Sequence, residues 1–213
     1  MDESIEKEPY NFKIILLGNS NVGKTSIMKR YIDQNFEEKY FNTIGVDYEI
    51  KNIKILEEYV KLSVWDTAGQ EKYRSINKRY YIGSDACFLV FDLTSKQSFD
   101  DLIESYNDFC QYGEKDAKEH IVVLGNKSYI NKKEVNEEEI NKFMDEKNLK
   151  YFETSAKTGK NINECFIYIM EKLIKYYKMN NKKKKDITES IFKESFMQKT
   201  EHTYLKEKNI MCC

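Results

Sequence analysis

The chain has little proline: one residue, Pro9, which lies ahead of the first regular element and so interrupts none of the body. It lacks any run of about 18 apolar residues, which excludes a helix that spans a bilayer. Histidine is almost absent, and His120 and His202 stand isolated, with no role assigned to either. No internal repeat is visible. Three of the five cysteines, Cys87, Cys110 and Cys165, sit singly among apolar residues and read as small hydrophobes. The acidic, polar first residues are not those of a secretory signal. A reducing compartment without disulfides is therefore expected. A formal net charge of −1 gives no whole-chain attraction to a polyanion, so no nucleic acid is expected as partner.

What is present is the composition of a globular protein, 40% hydrophobic and 33% charged, in 213 residues. That length suits one well-buried domain plus a tail. Buried-strand runs are read at Phe12–Leu17, Val60–Trp65, Ala86–Phe91 and Ile121–Leu124, with a weaker one at Leu149–Phe152. Helical spacing lies between them, over Thr25–Ile32, Ser98–Phe109, Glu137–Glu146 and Asn161–Tyr177. In the last, Ile162, Cys165, Phe166, Ile169, Met170, Leu173 and Ile174 make one apolar stripe. Strands alternating with helices predict an α/β fold, a three-layer sandwich on a mostly parallel six-stranded sheet. Ile44–Leu56 alternates apolar with polar residues, which predicts an edge strand antiparallel to its neighbour. The division expected is a disordered arm over 1–11, a domain over 12–177 and a flexible tail over 178–213.

Gly18-Asn19-Ser20-Asn21-Val22-Gly23-Lys24-Thr25 fits G-x-x-x-x-G-K-[ST], between a buried strand and a helix. Backbone N–H groups of such a loop, continued by Ser26, attract phosphate oxygens at the helix N-terminus. Lys24 reaches the β- and γ-phosphates, and the Thr25 hydroxyl ligates Mg²⁺. Asn21 stands where a third Gly is common, and Asn is the residue after Gly that best tolerates positive φ. A second cluster is Trp65-Asp66-Thr67-Ala68-Gly69-Gln70-Glu71. Asp66 closes a strand, where a carboxylate holds Mg²⁺ through water. Gly69 permits close backbone approach to a γ-phosphate, and Gln70 can orient an attacking water.

With Thr43-Ile44-Gly45-Val46-Asp47-Tyr48, Lys72-Tyr73-Arg74-Ser75 and Tyr80-Tyr81-Ile82-Gly83-Ser84-Asp85-Ala86, these segments resemble the Ras superfamily of small GTPases, and more narrowly its Rab family. Ile82 departs from the usual Arg. The resemblance covers about residues 12–177 and implies a P-loop NTPase-like domain. It further implies Mg²⁺ and GTP or GDP as ligands, with Thr43 as a second Mg²⁺ ligand that senses the γ-phosphate. Gln70 and Lys24 would be the catalytic pair. Tyr48, Trp65 and Tyr80 match an aromatic trio of the effector-binding surface.

The resemblance also implies where the base lies. Glu153-Thr154-Ser155-Ala156-Lys157 matches a base-contacting loop in which the Ala156 N–H meets guanine O6. Phe36 falls where an aromatic stacks on the base. Asn126 and Lys127 open the N-K-x-D motif, Asn126 tying loops together and the Lys127 stem lying along the base. The fourth position is Tyr129 instead of Asp. A carboxylate there accepts from guanine N1 and N2, and losing it costs roughly 2–4 kcal/mol, or about 30- to 1000-fold in affinity. Ser128 and Asn131 are badly placed by this register. Three outcomes stay open: weak binding with fast exchange, compensation by a carboxylate or water from elsewhere, or lost guanine selectivity.

From Lys178 onward nine Lys against five acidic residues leave the tail at +4 and the rest of the chain at −5. Met211-Cys212-Cys213 resembles the doubly prenylated Rab ending, and two lipid chains give stable membrane residence. Lys182–Lys185 adds about 1 kcal/mol per Lys near anionic lipid. As a coil the tail would span roughly 30–35 Å. The resemblance implies a monomer on the cytoplasmic face of an endomembrane, with a cytosolic pool. Its partners would be effectors, an exchange factor, a GTPase-activating protein and a prenyl-binding chaperone, in vesicle transport.

Overall fold

The computed structural model describes residues 8–36, 43, 45–69 and 78–180. Six strands and four α-helices alternate among them: β1 (Tyr10–Leu17), α1 (Lys24–Asp33), β2 (Val46–Ile55), β3 (Glu58–Thr67), β4 (Ala86–Asp92), α2 (Lys96–Tyr112), β5 (Ile121–Asn126), α3 (Glu137–Lys147), β6 (Lys150–Glu153) and α4 (Ile162–Met179). They form one sheet in the order β2-β3-β1-β4-β5-β6, parallel throughout except for β2 against β3. The predicted α/β class and the antiparallel edge strand are both observed. The edge hairpin closes on Leu56 and Glu57, with φ of 49° and 60°, the left-handed pair that a tight two-residue turn requires.

Alternation along β1 splits the interior in two. Phe12, Ile14 and Leu16 join the α1 and α4 side, with Ile27, Met28, Phe166 and Ile169. Ile15 and Leu17 face the other way, into a second core with Phe99, Leu102, Phe109 and Phe143 from α2 and α3. Burial on both faces is what a near-continuous apolar strand demands. At the centre of the first layer Phe166 stacks on Tyr31, ring centroids 3.7 Å apart, and meets Phe88 edge-on at 4.9 Å.

Two boundaries move outward from the sequence reading. Tyr10 and Asn11, placed in the arm by composition, belong to β1 and lie opposite Val60 and Lys61. The physical reason is aromatic: the Tyr10 ring packs on Phe12 at 5.6 Å and on Tyr177 at 6.3 Å. At the other end, α4 continues through Lys178 and Met179, and the Lys178 ammonium pairs with buried Glu58 at 2.8 Å. Residues 1–7 of the arm and 181–213 of the tail lie outside the described residues. Among the described residues no helix is long and apolar enough to cross a membrane.

His120 is buried just before β5, its Nδ1 2.9 Å from the Asp116 carbonyl and its ring edge-on to Tyr176. Burial pulls its pKa below the usual 6.5, and Lys172 adds to this, against the Asp116 carbonyl, Glu119 and Asp85. The unfolded chain therefore takes up the proton first. Stability from this site is complete above about pH 6.5 and declines as pH falls through that value. Denaturant titrations between about pH 7 and pH 5 should show a slope that His120→Gln reduces.

Candidate nucleotide-binding site

The phosphate loop forms where β1 ends and α1 begins, and its backbone takes conformations that its residues suit. Gly18 has φ 140°, Asn21 64° and Gly23 97°. Asn21 thus adopts the left-handed region expected of it. A side chain at Gly18 would strike the Val90 carbonyl, and one at Gly23 the Asn126 amide. Helix α1 starts with no side-chain cap and no acidic residue in its first turn, so its leading N–H groups are available to an anion. A solvent-open cleft of about 330 Å³ lies there, lined by Ser20, Asn21, Gly23, Lys24, Thr25, Ser26, Thr43 and Gly69. Gly69 abuts the Asn19–Ser20 backbone so closely that no Cβ fits. On the loop's outer flank the Asn19 amide bonds Asp101 of α2.

Lys24 is only 5% exposed and donates to the Gly18 and Asn19 carbonyls, each at 2.8 Å. Burial lowers its pKa from 10.5 to about 8, partly opposed by the Asp66 carboxylate. Asp66 is fully buried, held beside the loop because β3 runs parallel to β1 and the Thr67 hydroxyl donates to the Leu16 carbonyl at 2.7 Å. Burial raises the Asp66 pKa, while Lys24, Thr25 and Thr43 pull it down.

The three side chains expected at the metal meet here. Thr25 Oγ1 donates to Asp66 Oδ2 at 2.6 Å, Thr43 Oγ1 does so at 3.1 Å, and the two hydroxyls are 3.0 Å apart. Asp66 Oδ1 is buried and, among the described residues, has no hydrogen-bond partner. Two hydroxyls and a carboxylate with an unmatched buried oxygen form an all-oxygen donor set that fits Mg²⁺, the remaining ligands being phosphate and water.

The base-side loops converge on Asn126, at the end of β5. Its Nδ2 donates to the Val22 carbonyl at 2.9 Å, and its Oδ1 accepts the Ala156 N–H at 3.1 Å. Asn126 therefore ties the phosphate loop to the Ser155–Lys157 loop, as expected. The Ala156 N–H, expected at guanine O6, is engaged with Asn126 and would be shared between the two acceptors. Lys127 has φ 65° and its ammonium pairs with Asp92 at 2.7 Å. Ser155 is buried, its hydroxyl accepting the Thr158 N–H at 3.0 Å. Phe36 is half-buried and packs on the first core. Tyr129 carries its ring beside Lys157, whose ammonium lies 5.2 Å from the ring centre.

The aromatic trio is contiguous, Tyr48 stacking on Trp65 at 5.2 Å and Trp65 lying 5.9 Å from Tyr80. Trp65 is 1% exposed, so it is core, and only half-buried Tyr48 and Tyr80 present a surface. Gln70, the residues of the second switch from Glu71 to Ser75, and the expected prenylation sites Cys212 and Cys213 lie outside the described residues.

Sequence reading missed Arg30. From α1 its guanidinium donates to the Ala156 carbonyl at 2.7 Å and to the Lys157 carbonyl at 2.8 Å, a second clamp between the phosphate helix and the base loop. Asp92, which fixes Lys127, was missed too. The partners are far apart in the chain, so no local pattern marks them.

A parallel sheet with a glycine-bent loop at the carboxyl end of its central strand, an uncapped helix start, a buried Lys and an Asp–Thr–Thr oxygen set together define a P-loop nucleotide-binding domain. The Ras family model matches residues 13–175. Ras-related protein Rab-9A of Homo sapiens is 40% identical over 158 residues, 73% of this chain and 79% of that protein. Ras-related protein Rab-1 of Theileria annulata is 38% identical over 166 residues (77% and 74%), and Ras-related protein Rab-7a of Paramecium octaurelia 40% over 159 (73% and 77%). The chain belongs to the Ras family and, within it, to the Rab small GTPases, at similar distance from three of their subfamilies.

Proposed function

We propose that this Rab protein is a Mg²⁺-dependent GTP/GDP switch that hydrolyses GTP slowly to GDP and phosphate. In its GTP form it recruits effectors to the cytoplasmic face of an endomembrane in vesicle traffic. The observation that carries this reading is the unmatched Asp66 Oδ1, buried beside the Thr25 and Thr43 hydroxyls and the Lys24 ammonium. An oxygen of that kind costs stability unless a cation meets it.

In this reading Thr25, Thr43 and Asp66 hold Mg²⁺, which supplies charge neutralisation at the β- and γ-phosphate oxygens when bound. Lys24 and the loop N–H groups of 18–26 cradle the phosphates, and Gly69 approaches the γ-phosphate. Gln70 orients the attacking water, and a GTPase-activating protein supplies the rest of the transition-state stabilisation. Residues 36–48 and 66–80 are the segments ordered by the γ-phosphate, so Tyr48 and Tyr80 change their presentation to effectors with nucleotide state. Tyr129 in place of the motif Asp weakens the guanine contact, which favours fast release and leaves more of the affinity to the phosphate grip. Prenylated Cys212 and Cys213 anchor the protein, a prenyl-binding chaperone maintains its cytosolic pool, and an exchange factor reloads it.

Single-turnover GTP hydrolysis by the full-length protein tests this. Gln70→Leu should lower the rate by about tenfold or more, with and without an activating protein. A rate that Gln70→Leu leaves unchanged would point instead to a scaffold that binds effectors without cycling.

A further inference from the structure

We infer that the base site accepts 6-oxopurine nucleotides as a class, taking inosine triphosphate about as well as GTP, because none of the described residues around it reads the 2-amino group. The inference rests on the reading of this cleft as a nucleotide site and specifies which nucleotides it takes.

Guanine and hypoxanthine differ only at position 2, where guanine carries an amino donor. Telling them apart needs an acceptor there, ideally a carboxylate, which accepts and never donates. The position that would supply it is Tyr129. Its phenol has one oxygen, at the end of a rigid ring, and that oxygen both donates and accepts. The ring is 43% exposed and lies along the Lys157 side chain, the ammonium 5.2 Å from its centre. The ring is thus held in a cation–π contact with Lys157.

Among the described residues, the two carboxylates bound into these loops are already engaged. Asp92 accepts from the Thr94 N–H and hydroxyl at 2.9 and 2.8 Å and pairs with Lys127 at 2.7 Å. Glu153 pairs with Lys133 at 2.6 Å and Lys160 at 2.8 Å. Releasing either would strip a cation of its partner. The Ser128 hydroxyl is also buried in this turn, without a hydrogen-bond partner among the described residues. Closed off from solvent in this way, it is out of reach of a base that lies in the open cleft.

Position 6 is different. The groups at the centre of the site are donors: the second hydrogen of the Asn126 amide, beyond the one given to Val22, and the Ala156 N–H, which would be shared between Asn126 Oδ1 and the base. They match the 6-oxo oxygen that guanine and hypoxanthine share, and they oppose the 6-amino group of adenine. Adenine nucleotides are therefore refused while the two oxopurines are treated alike.

Competition against ribose-labelled fluorescent GDP on the full-length protein tests this, with GTP, inosine triphosphate and ATP as competitors. The expected result is GTP and inosine triphosphate within about threefold of each other and ATP at least about tenfold weaker. Tyr129→Asp should open a preference for GTP over inosine triphosphate of about 10- to 100-fold, through the regained contact to the 2-amino group. Its side chain is solvent-accessible, so the substitution leaves the fold in place. A native preference for GTP above about tenfold overturns the inference, as does a Tyr129→Asp protein whose ratio does not move. If fluorescent GDP itself fails to bind, the nucleotide-site reading falls and this inference with it; if it binds and GTP alone displaces it well, only the inference fails.

Discussion

Lys24→Met is expected to lower affinity for nucleoside triphosphate by about 10²- to 10⁴-fold while leaving the nucleotide-free fold within roughly 2 kcal/mol of native stability. The two halves of this result have different physical origins. At the ligand, the ammonium would supply charge-assisted hydrogen bonds to two phosphates, each worth about 1.5–3 kcal/mol, and methionine supplies none. In the fold, two opposing effects nearly cancel. Burial lowers the Lys24 pKa from 10.5 to about 8, equivalent to roughly 3 kcal/mol against holding the cation there. Removing the charge recovers that. Against it stand the two hydrogen bonds to the Gly18 and Asn19 carbonyls at 2.8 Å, worth together about 3 kcal/mol or more. Methionine fills nearly the same space along the stem, so no cavity is added. Isothermal titration with Mg²⁺-GTP and denaturant unfolding without ligand measure the two quantities separately. A variant that binds within tenfold of native would remove Lys24 from the phosphate site.

Asn126→Ala should cost stability and nucleotide retention together, about 2–4 kcal/mol in unfolding free energy and roughly 100-fold or more in the nucleotide release rate. The side chain is buried and holds two loops at once, the Val22 carbonyl at 2.9 Å and the Ala156 N–H at 3.1 Å. Alanine leaves both groups buried and unsatisfied, at about 1–3 kcal/mol each. The same change frees the phosphate loop from the base loop, and a nucleotide bridges the two. Arg30 provides an independent tie through the Ala156 and Lys157 carbonyls, so the base loop keeps part of its position and the protein still folds. Combining Asn126→Ala with Arg30→Ala should therefore exceed the sum of the single effects on release, since each tie limits the movement that the other's loss allows. Stopped-flow release of fluorescent GDP measures this.

The tail and Gln70 enter the proposed cycle only through the Rab resemblance, whereas the oxygen set and the phosphate grip rest on observed geometry. Lys24 and Asn126 have named partners in the structure, so their effects carry magnitudes built from those contacts, and Gln70→Leu tests a role that rests on the Rab resemblance and its position after Gly69.

Local chemistry was legible in the sequence wherever the relevant partners are neighbours. The phosphate loop is eight consecutive residues whose glycines and Asn21 meet backbone demands set by their own φ angles, so its type could be read before any fold was known. Strand and helix alternation, the antiparallel edge strand and the apolar stripe of α4 follow from periodicities of two and about 3.6, which are also local. Tertiary structure decided what depends on which faces meet. It put Tyr10 in β1 through a ring contact with Tyr177, and it turned Trp65 of the aromatic trio into core. It joined Arg30 to a loop 126 residues away and gave Lys127 its partner in Asp92. It also brought Thr25, Thr43 and Asp66 within hydrogen-bonding reach and left one Asp66 oxygen unmatched. The sequence by itself displayed a phosphate-loop motif and, by resemblance, Tyr129 at the position where the family has its base-reading Asp. Only the meeting of the loops after β4, β5 and β6 determined that the nearby carboxylates are already paired, because an acceptor's availability depends on every group that reaches it in space.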